Sequence, residues 1–214
     1  MSHDDFDFDP VRGLPEVLPQ GERMLWQGSP RWQDMAAHAF HVRKVAVYFA
    51  TITLLTVLFR LSDGASLMEA AKPILWYLPL TLLAVGILSG LAWASARTTI
   101  YTITTKRIVL RIGIALPISL NLPFALIESA GLRTYASGAG DIPVELKGED
   151  RLAWLILWPH ARPFRLKHPQ PMLRAIPDAM KVASLLGDAL QGKPVAPLPI
   201  AQKSVRFATH VVTA

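Results

Sequence analysis

Two uncharged apolar runs constrain this chain more than any other feature. Residues 45–59 read VAVYFATITLLTVLF, and residues 73–96 read PILWYLPLTLLAVGILSGLAWASA. A helix over 42–61 would cover about 30 Å at ~1.5 Å per residue, the thickness of a bilayer's hydrocarbon core. The second run is longer and leaves room for tilt. Arg60 then has to snorkel to the far interface. Pro73 suits a helix start, and Pro79 sits where it would kink the first turns. Trp76, Tyr77 and Trp93 fall near the two ends, at the level of an aromatic belt. The sequence therefore predicts a transmembrane hairpin, which sets this chain apart from an ordinary soluble enzyme.

Charge distribution orients that hairpin. Residues 1–22 carry six acids against Arg12, a net of −5, and the remainder carries +11. The link 62–72 holds only Asp63, Glu69 and Lys72, whereas Arg31, Arg43, Lys44, Arg97, Lys106, Arg107 and Arg111 flank the other ends. The positive-inside rule puts both termini in the cytoplasm and the 62–72 turn outside. The acidic start, with Asp5-Phe-Asp-Phe-Asp9, is no signal peptide and reads as a solvated tail or a docking peptide. The chain has no cysteine, so thiolate chemistry and Cys-ligated metals are excluded. Gly86-x-x-x-Gly90 permits close helix packing, and a homodimer through that face is a reasonable expectation. Residues 31–44 have a rough helical apolar stripe and read as an interfacial helix running into the first span.

From residue 98 the period changes to two. Thr98–Thr105, Arg107–Ile112, Ile114–Leu120, Leu126–Tyr135, Asp141–Leu146 and Leu152–Trp158 are strand candidates. Pro117 and Pro143 require edge or bulge positions. Ser137-Gly-Ala-Gly140 is a turn, and Arg23–Gln27 is a candidate for one further strand. Alternation puts Arg107 and Arg111 on one face of their strand and Ile108, Leu110 and Ile112 on the other. It also puts Trp154 and Trp158 on one side, toward the core or on a hydrophobic docking face. Residues 172–190 carry a helical apolar stripe that ends at Gly192. The predicted division is an acidic segment 1–30, an interfacial helix with two spans over 31–96, a barrel over 97–192 and a flexible tail over 193–214.

Tyr101-x-x-Thr104-x-Lys106-Arg107-x-x-x-Arg111-x-Gly113, with the later Gly138-x-Gly140-Asp141-Ile142, resembles the type 2 bacterial PH-domain signature. The implied fold is an α+β membrane protein: a transmembrane hairpin followed by a cytoplasmic PH-like split β-barrel, closed by a C-terminal helix. Gly13-Leu-Pro-Glu16, Leu18-Pro-Gln-Gly-Glu-Arg-Met-Leu-Trp-Gln-Gly-Ser-Pro30, His38-Ala-Phe-His-Val-Arg-Lys44 and Ile176-Pro-Asp-Ala179 resemble a family of photosynthetic complex assembly proteins of purple bacteria. Reaction-centre and core light-harvesting subunits are the partners which that resemblance implies.

On this reading the chain is no enzyme. Glu149-Asp150 reads as a solvated turn, and no Walker loop or His-Glu-x-x-His is present. Glu128 and Asp141 are expected to pair with Arg133 or Lys106. No nucleic acid, metal or resident cofactor is expected. Ala37-x-x-x-His41 has the spacing of bacteriochlorophyll-binding histidines in antenna helices, so His41 stands as a candidate pigment ligand. Two basic groups are candidates for contact with partner proteins or anionic lipid: Lys106, Arg107 and Arg111 near the first hairpin, and Arg162, Arg165 and Lys167 in a proline-rich loop.

Overall fold

The computed structural model describes residues 13–147, 157–163 and 169–198. The acidic run Asp4–Asp9, Glu149-Asp150, nearly all of the strand expected at 152–158, Arg165, Lys167 and the tail beyond residue 198 lie outside the described residues.

The chain opens with strand β1 (Met24–Gly28), followed by helices α1 (Trp32–His38), α2 (Val42–Ser62), α3 (Leu67–Ala71) and α4 (Ile74–Thr98). Helices α2 and α4 are the two expected apolar helices. Both are long and apolar enough to cross a membrane. Neither segment's most apolar stretch is buried inside the protein, so leucines such as Leu54, Leu58, Leu82 and Leu83 point outward. A soluble core helix would hide these side chains. The link between them is partly helical: Ser66 caps α3 by accepting the Glu69 amide at 3.4 Å, a Ser-x-x-Glu start. Helix α4 continues through Pro79.

Residues 31–44 do not form one helix. α1 ends at His38, and His41 takes a left-handed conformation at φ 54° before α2 begins. The apolar stripe of α1 is spent on the protein rather than on a membrane surface. Met35, Ala36 and Phe40 pack against Ala92 and Ala96 of α4 and against Ala175.

The remaining elements form two antiparallel sheets and a closing helix. The first sheet has the order β1-β2-β3-β4, with β2 Ile100–Thr104, β3 Arg107–Ile112 and β4 Ile118–Pro123. The second is centred on β7 (Gly140–Leu146), which pairs with β5 (Ile127–Ala130), β6 (Arg133–Thr134) and β8 (Met172–Ile176). Helix α5 (Ala179–Leu190) follows. Strand β1 lies before the helical hairpin yet pairs with β2 after it, Gly28 opposite Tyr101 and Met24 opposite Thr104. The hairpin is therefore an insertion between neighbouring strands of one sheet. The strand expected around Arg23–Gln27 is present.

Several boundaries differ from expectation, and the strand expected over Leu126–Tyr135 divides into β5 and β6. Met172–Ile176 is a strand, not the first turn of a helix, because the left-handed Asp178 (φ 51°) separates it from α5. The strand expected from Ile114 starts only at Ile118, after a turn at Gly113. Pro143 lies in the central strand β7, but its carbonyl faces the break between β5 and β6, where it accepts the Gly131 amide at 2.9 Å. Backbone N–H and C=O of one residue point the same way in an antiparallel ladder, so the missing proline N–H falls at that break. The core gathers Tyr101, Ile103, Ile108, Leu110 and Ile112 from the first sheet, Ile142 and Leu173 from the second, and Val182 and Leu186 from α5. Ile108, Leu110 and Ile112 share the core face, as alternation requires. The start of the expected tail is docked: the Leu198 amide donates to the Leu25 carbonyl at 2.9 Å.

Candidate functional site

The structure concentrates its buried polar groups where the hairpin meets the sheets. His160 is their hub. Its Nδ1 lies 2.6 Å from the Tyr101 hydroxyl, and its Nε2 lies 3.1 Å from Thr99 Oγ1 and 3.5 Å from Ser95 Oγ. Ser95 is in the last turn of α4, Thr99 caps that helix and Tyr101 opens β2, so one imidazole ties the helix end to the sheet. The Tyr101 oxygen also accepts the Arg174 amide of β8 at 3.1 Å. That leaves the tyrosine proton for Nδ1 and assigns the imidazole proton to Nε2, which donates to Thr99. Burial, reinforced by the Arg174 charge, pushes the His160 pKa down to about 3, so the ring is neutral. Burial also pushes the Tyr101 phenol well above its ordinary value.

A second set of contacts locks α1 onto the same junction. The Arg31 amide donates to the Ala175 carbonyl at 2.8 Å, and Arg31 Nε pairs with Asp34 at 3.3 Å. Ser137, in the turn before β7, donates to Asp34 at 2.8 Å. His38 stacks on Tyr135, with ring centroids 3.8 Å apart and planes 11° from parallel. Asp141 accepts the Ala175 amide at 3.0 Å, a backbone role where pairing with Arg133 or Lys106 is expected.

The basic residues expected to act together are dispersed. Lys106 and Arg107 lie at the turn between β2 and β3, the end of the sheet away from α4. Arg107 is committed to Glu22, with its Nε and Nη2 at 2.8 and 3.1 Å from the two carboxylate oxygens. Thr104 donates to the same carboxylate at 2.6 Å. Burial raises the Glu22 pKa, but the Arg107 and Thr104 hydrogen bonds and the nearby positive charges outweigh it and hold the carboxyl below its ordinary value. Arg111, at the other end of β3, is buried. The solvated basic face expected for this strand is thus not formed. Arg162 donates to Gln170 at 2.9 Å, and Gln170 donates to Glu145 at 2.8 Å. We expect Glu22→Ala to cost about 1–2 kcal/mol of stability, because it strands the Arg107 guanidinium, whereas the Thr104 hydroxyl keeps the Arg107 carbonyl as an acceptor at 3.0 Å. Urea unfolding of the variant beside the Arg107→Ala, Glu22→Ala double variant measures it, and the double should lose little more than the single.

Gly86 and Gly90 are exposed, with open space where a side chain would stand. The seam between α2 and α4 runs instead through partly covered residues such as Ala46, Phe49, Thr53, Ala84, Val85 and Leu88. The expected glycine packing therefore plays no part within this hairpin. Ala37 and His41 do not share a helix, so the ligand spacing is lost. The His41 ring instead donates to the Ala37 carbonyl, while burial and the Lys44 charge lower its pKa. Trp158 is 47% exposed and meets Phe40 edge-on at 5.4 Å, which places it outside the core. Among the described residues, no group of three or more His, Asp or Glu side chains could hold a metal ion. A groove of about 450 Å³ runs between β5 and α5, lined by Phe124, Ile127, Glu128, Lys147, Ala183 and Leu190 among others.

Antiparallel sheets closed by a C-terminal helix, joined to two long apolar helices, define the class: the chain belongs to the bacterial PH domain family, whose signature matches residues 46–190. Over 195 residues it is 40% identical to a Rhodobacter capsulatus protein described as an uncharacterized 23.7 kDa protein in the puhA 5′ region. That similarity spans 90% of this chain and 91% of the relative. No solved structure matches.

Proposed function

We propose that this protein is a non-catalytic, membrane-anchored assembly factor for the photosynthetic reaction centre and its core light-harvesting complex. It sits in the bacterial inner membrane with both termini and the PH-like domain on the cytoplasmic side. The observation that carries this reading is the nearly full-length similarity to a protein of the puhA 5′ region of a purple bacterium. The resemblance of the opening blocks to photosynthetic assembly proteins points the same way. Architecture adds support: the sheets are hydrogen-bonded to the end of α4, so the domain is presented at a set height and orientation to clients in the same membrane. Confinement to one membrane raises effective concentration, so modest contacts suffice. Among the described residues β5 pairs with β7 alone, and residues of β5 line the groove beside α5. An edge beside a groove suits addition of an extended client segment.

The buried polar groups are engaged by the protein itself: His160 and Asp141 at the junction, and Glu22 at the far end of the first sheet. Recognition of an anionic headgroup through Lys106 and Arg107 is less well supported. Arg107 already holds Glu22, and that turn lies at the end of the sheet remote from α4.

The decisive experiment is mild-detergent co-purification of tagged, full-length protein from photosynthetically grown cells, followed by mass spectrometry. Reaction-centre or core-antenna subunits should exceed a tagged membrane-protein control by about tenfold or more, an enrichment equivalent to ~1.4 kcal/mol of preference. Recovery with lipid alone would sink the assembly reading.

A further inference from the structure

We propose that the tip of the β3–β4 hairpin, Gly113–Pro117, is a third membrane contact, with Ile114 and Leu116 seated at the headgroup–acyl boundary beside the end of α4. The inference rests on the reading of α2 and α4 as spans. It follows from strand register. Helix α4 ends at Thr98, and β2 starts at Ile100, whose partner on β3 is Arg111. Ile112 pairs with Ile118 across the turn. The tip is thus level with the point where the chain leaves the helix, whereas the β2–β3 turn is about 15 Å away along strands rising ~3.3 Å per residue.

The two ends of this sheet differ in chemistry as the two sides of an interface require. The far end carries Glu22, Arg23, Lys106 and Arg107. At the near end the hairpin tip, Ile112 to Ile118, carries no charged residue, and Arg111 just before it is buried. Leu116 is 79% exposed and Ile114 41%, and Ile118 beside them is also exposed. Such side chains at the end of an edge strand would invite aggregation if they faced water. Gly113 has φ 123°, and a Cβ there would lie 2.2 Å from the Leu116 carbonyl oxygen. This tight turn projects Leu116 outward. Trp93, 50% exposed with Arg97 above its ring at 5.4 Å, stands about one turn before the end of α4, where amphipathic aromatics settle at an interface. The bilayer that surrounds α4 is therefore the surface continuous with the tip.

The chain has no cysteine, so single labels are unique. Full-length Leu116→Cys, Lys106→Cys and Leu83→Cys, each carrying a polarity-sensitive thiol dye, would be placed in nanodiscs of phosphatidylethanolamine and phosphatidylglycerol. Quenching by a shallow nitroxide lipid and by aqueous iodide is then compared. Interfacial burial to a depth of ~5–10 Å predicts that Leu116 is quenched by the nitroxide at least about threefold more than Lys106, and shielded from iodide by a similar factor. Iodide quenching of Leu116 as strong as that of Lys106, with Leu83 protected, overturns the tip contact and leaves the spans standing. Shielding of Leu116 from both quenchers means a protein covers it, and overturns the bilayer assignment. Iodide access at Leu83 overturns the spans and the tip contact together.

Discussion

Between pH 6.5 and pH 5 the protein is expected to lose about 2 kcal/mol of stability through one residue, His160. In the folded state its pKa lies near 3; in the unfolded chain it returns to the ordinary 6.5. The unfolded state therefore binds a proton that the folded state refuses. The His160 contribution is fully present above pH 6.5 and declines by ~1.4 kcal/mol per pH unit until the pH approaches the folded value. Glu22, whose folded pKa lies below 4.5, loses its contribution in the same direction but only at lower pH. His41, whose folded pKa is also lowered, adds in the same direction over this interval, so the difference between the parent and a His160 variant isolates His160. Chemical denaturation in nanodiscs across that interval should show the slope in the parent chain. His160→Asn should be less stable at pH 7, because Thr99 and Tyr101 lose partners, and its pH slope should largely vanish. A parent curve that is flat from pH 6.5 to 5 would mean the imidazole is hydrated and the network open.

The second large effect is steric. A Cβ on Gly140 would stand 2.4 Å from the Arg133 carbonyl oxygen and 2.8 Å from the Ala179 Cβ. Neither neighbour is the end of a flexible side chain. Arg133 is backbone paired in register with Asp141, and Ala179 is the first residue of α5. Gly140→Ala must then open β6 from β7 or lift α5, and we expect it to cost about 3 kcal/mol. Gly187→Ala is the matched control. It lies within α5, where a Cβ meets open space, so the substitution should stabilise by about 1 kcal/mol. Thermal unfolding of the two variants side by side should move the midpoints in opposite directions.

Elements with a strong period were legible from residues alone: α2, α4, β2, β3 and the end of α5. Those that escaped did so for identifiable reasons. Met172–Ile176 is buried at every position: Leu173 and Ile176 face the main core under α5, and Ala175 faces α1. A strand covered on both faces shows no alternation and can pass for a helical turn. The break between α1 and α2 hinges on His41 taking a left-handed conformation, for which the local sequence carries no glycine or asparagine as a sign. The candidate site was harder still. His160 looks like a lone histidine after a proline, and its partners lie about 60 residues back on a helix end and a strand start. Only Tyr101 was marked in advance, through the family signature. The lysine and arginine cluster read from the β2–β3 turn misled because Glu22, which neutralises Arg107, sits before the hairpin, and nothing local links the two.

The placement of β1 ahead of the helical hairpin has a consequence for how the chain is made. During translation β1 emerges first and has no strand to pair with until both apolar helices and β2 have followed. Closing so long a loop is slow and entropically costly for a free chain. Bringing the two helices side by side in a bilayer returns the chain to its starting side and shortens that search. On the proposed membrane reading, completion of the first sheet is thereby coupled to insertion, and a chain whose hairpin fails to insert keeps the β2 edge bare. A fragment begun at residue 97 would carry the same defect. If the hairpin spans a membrane as proposed, a complete first sheet is the mark of a delivered chain.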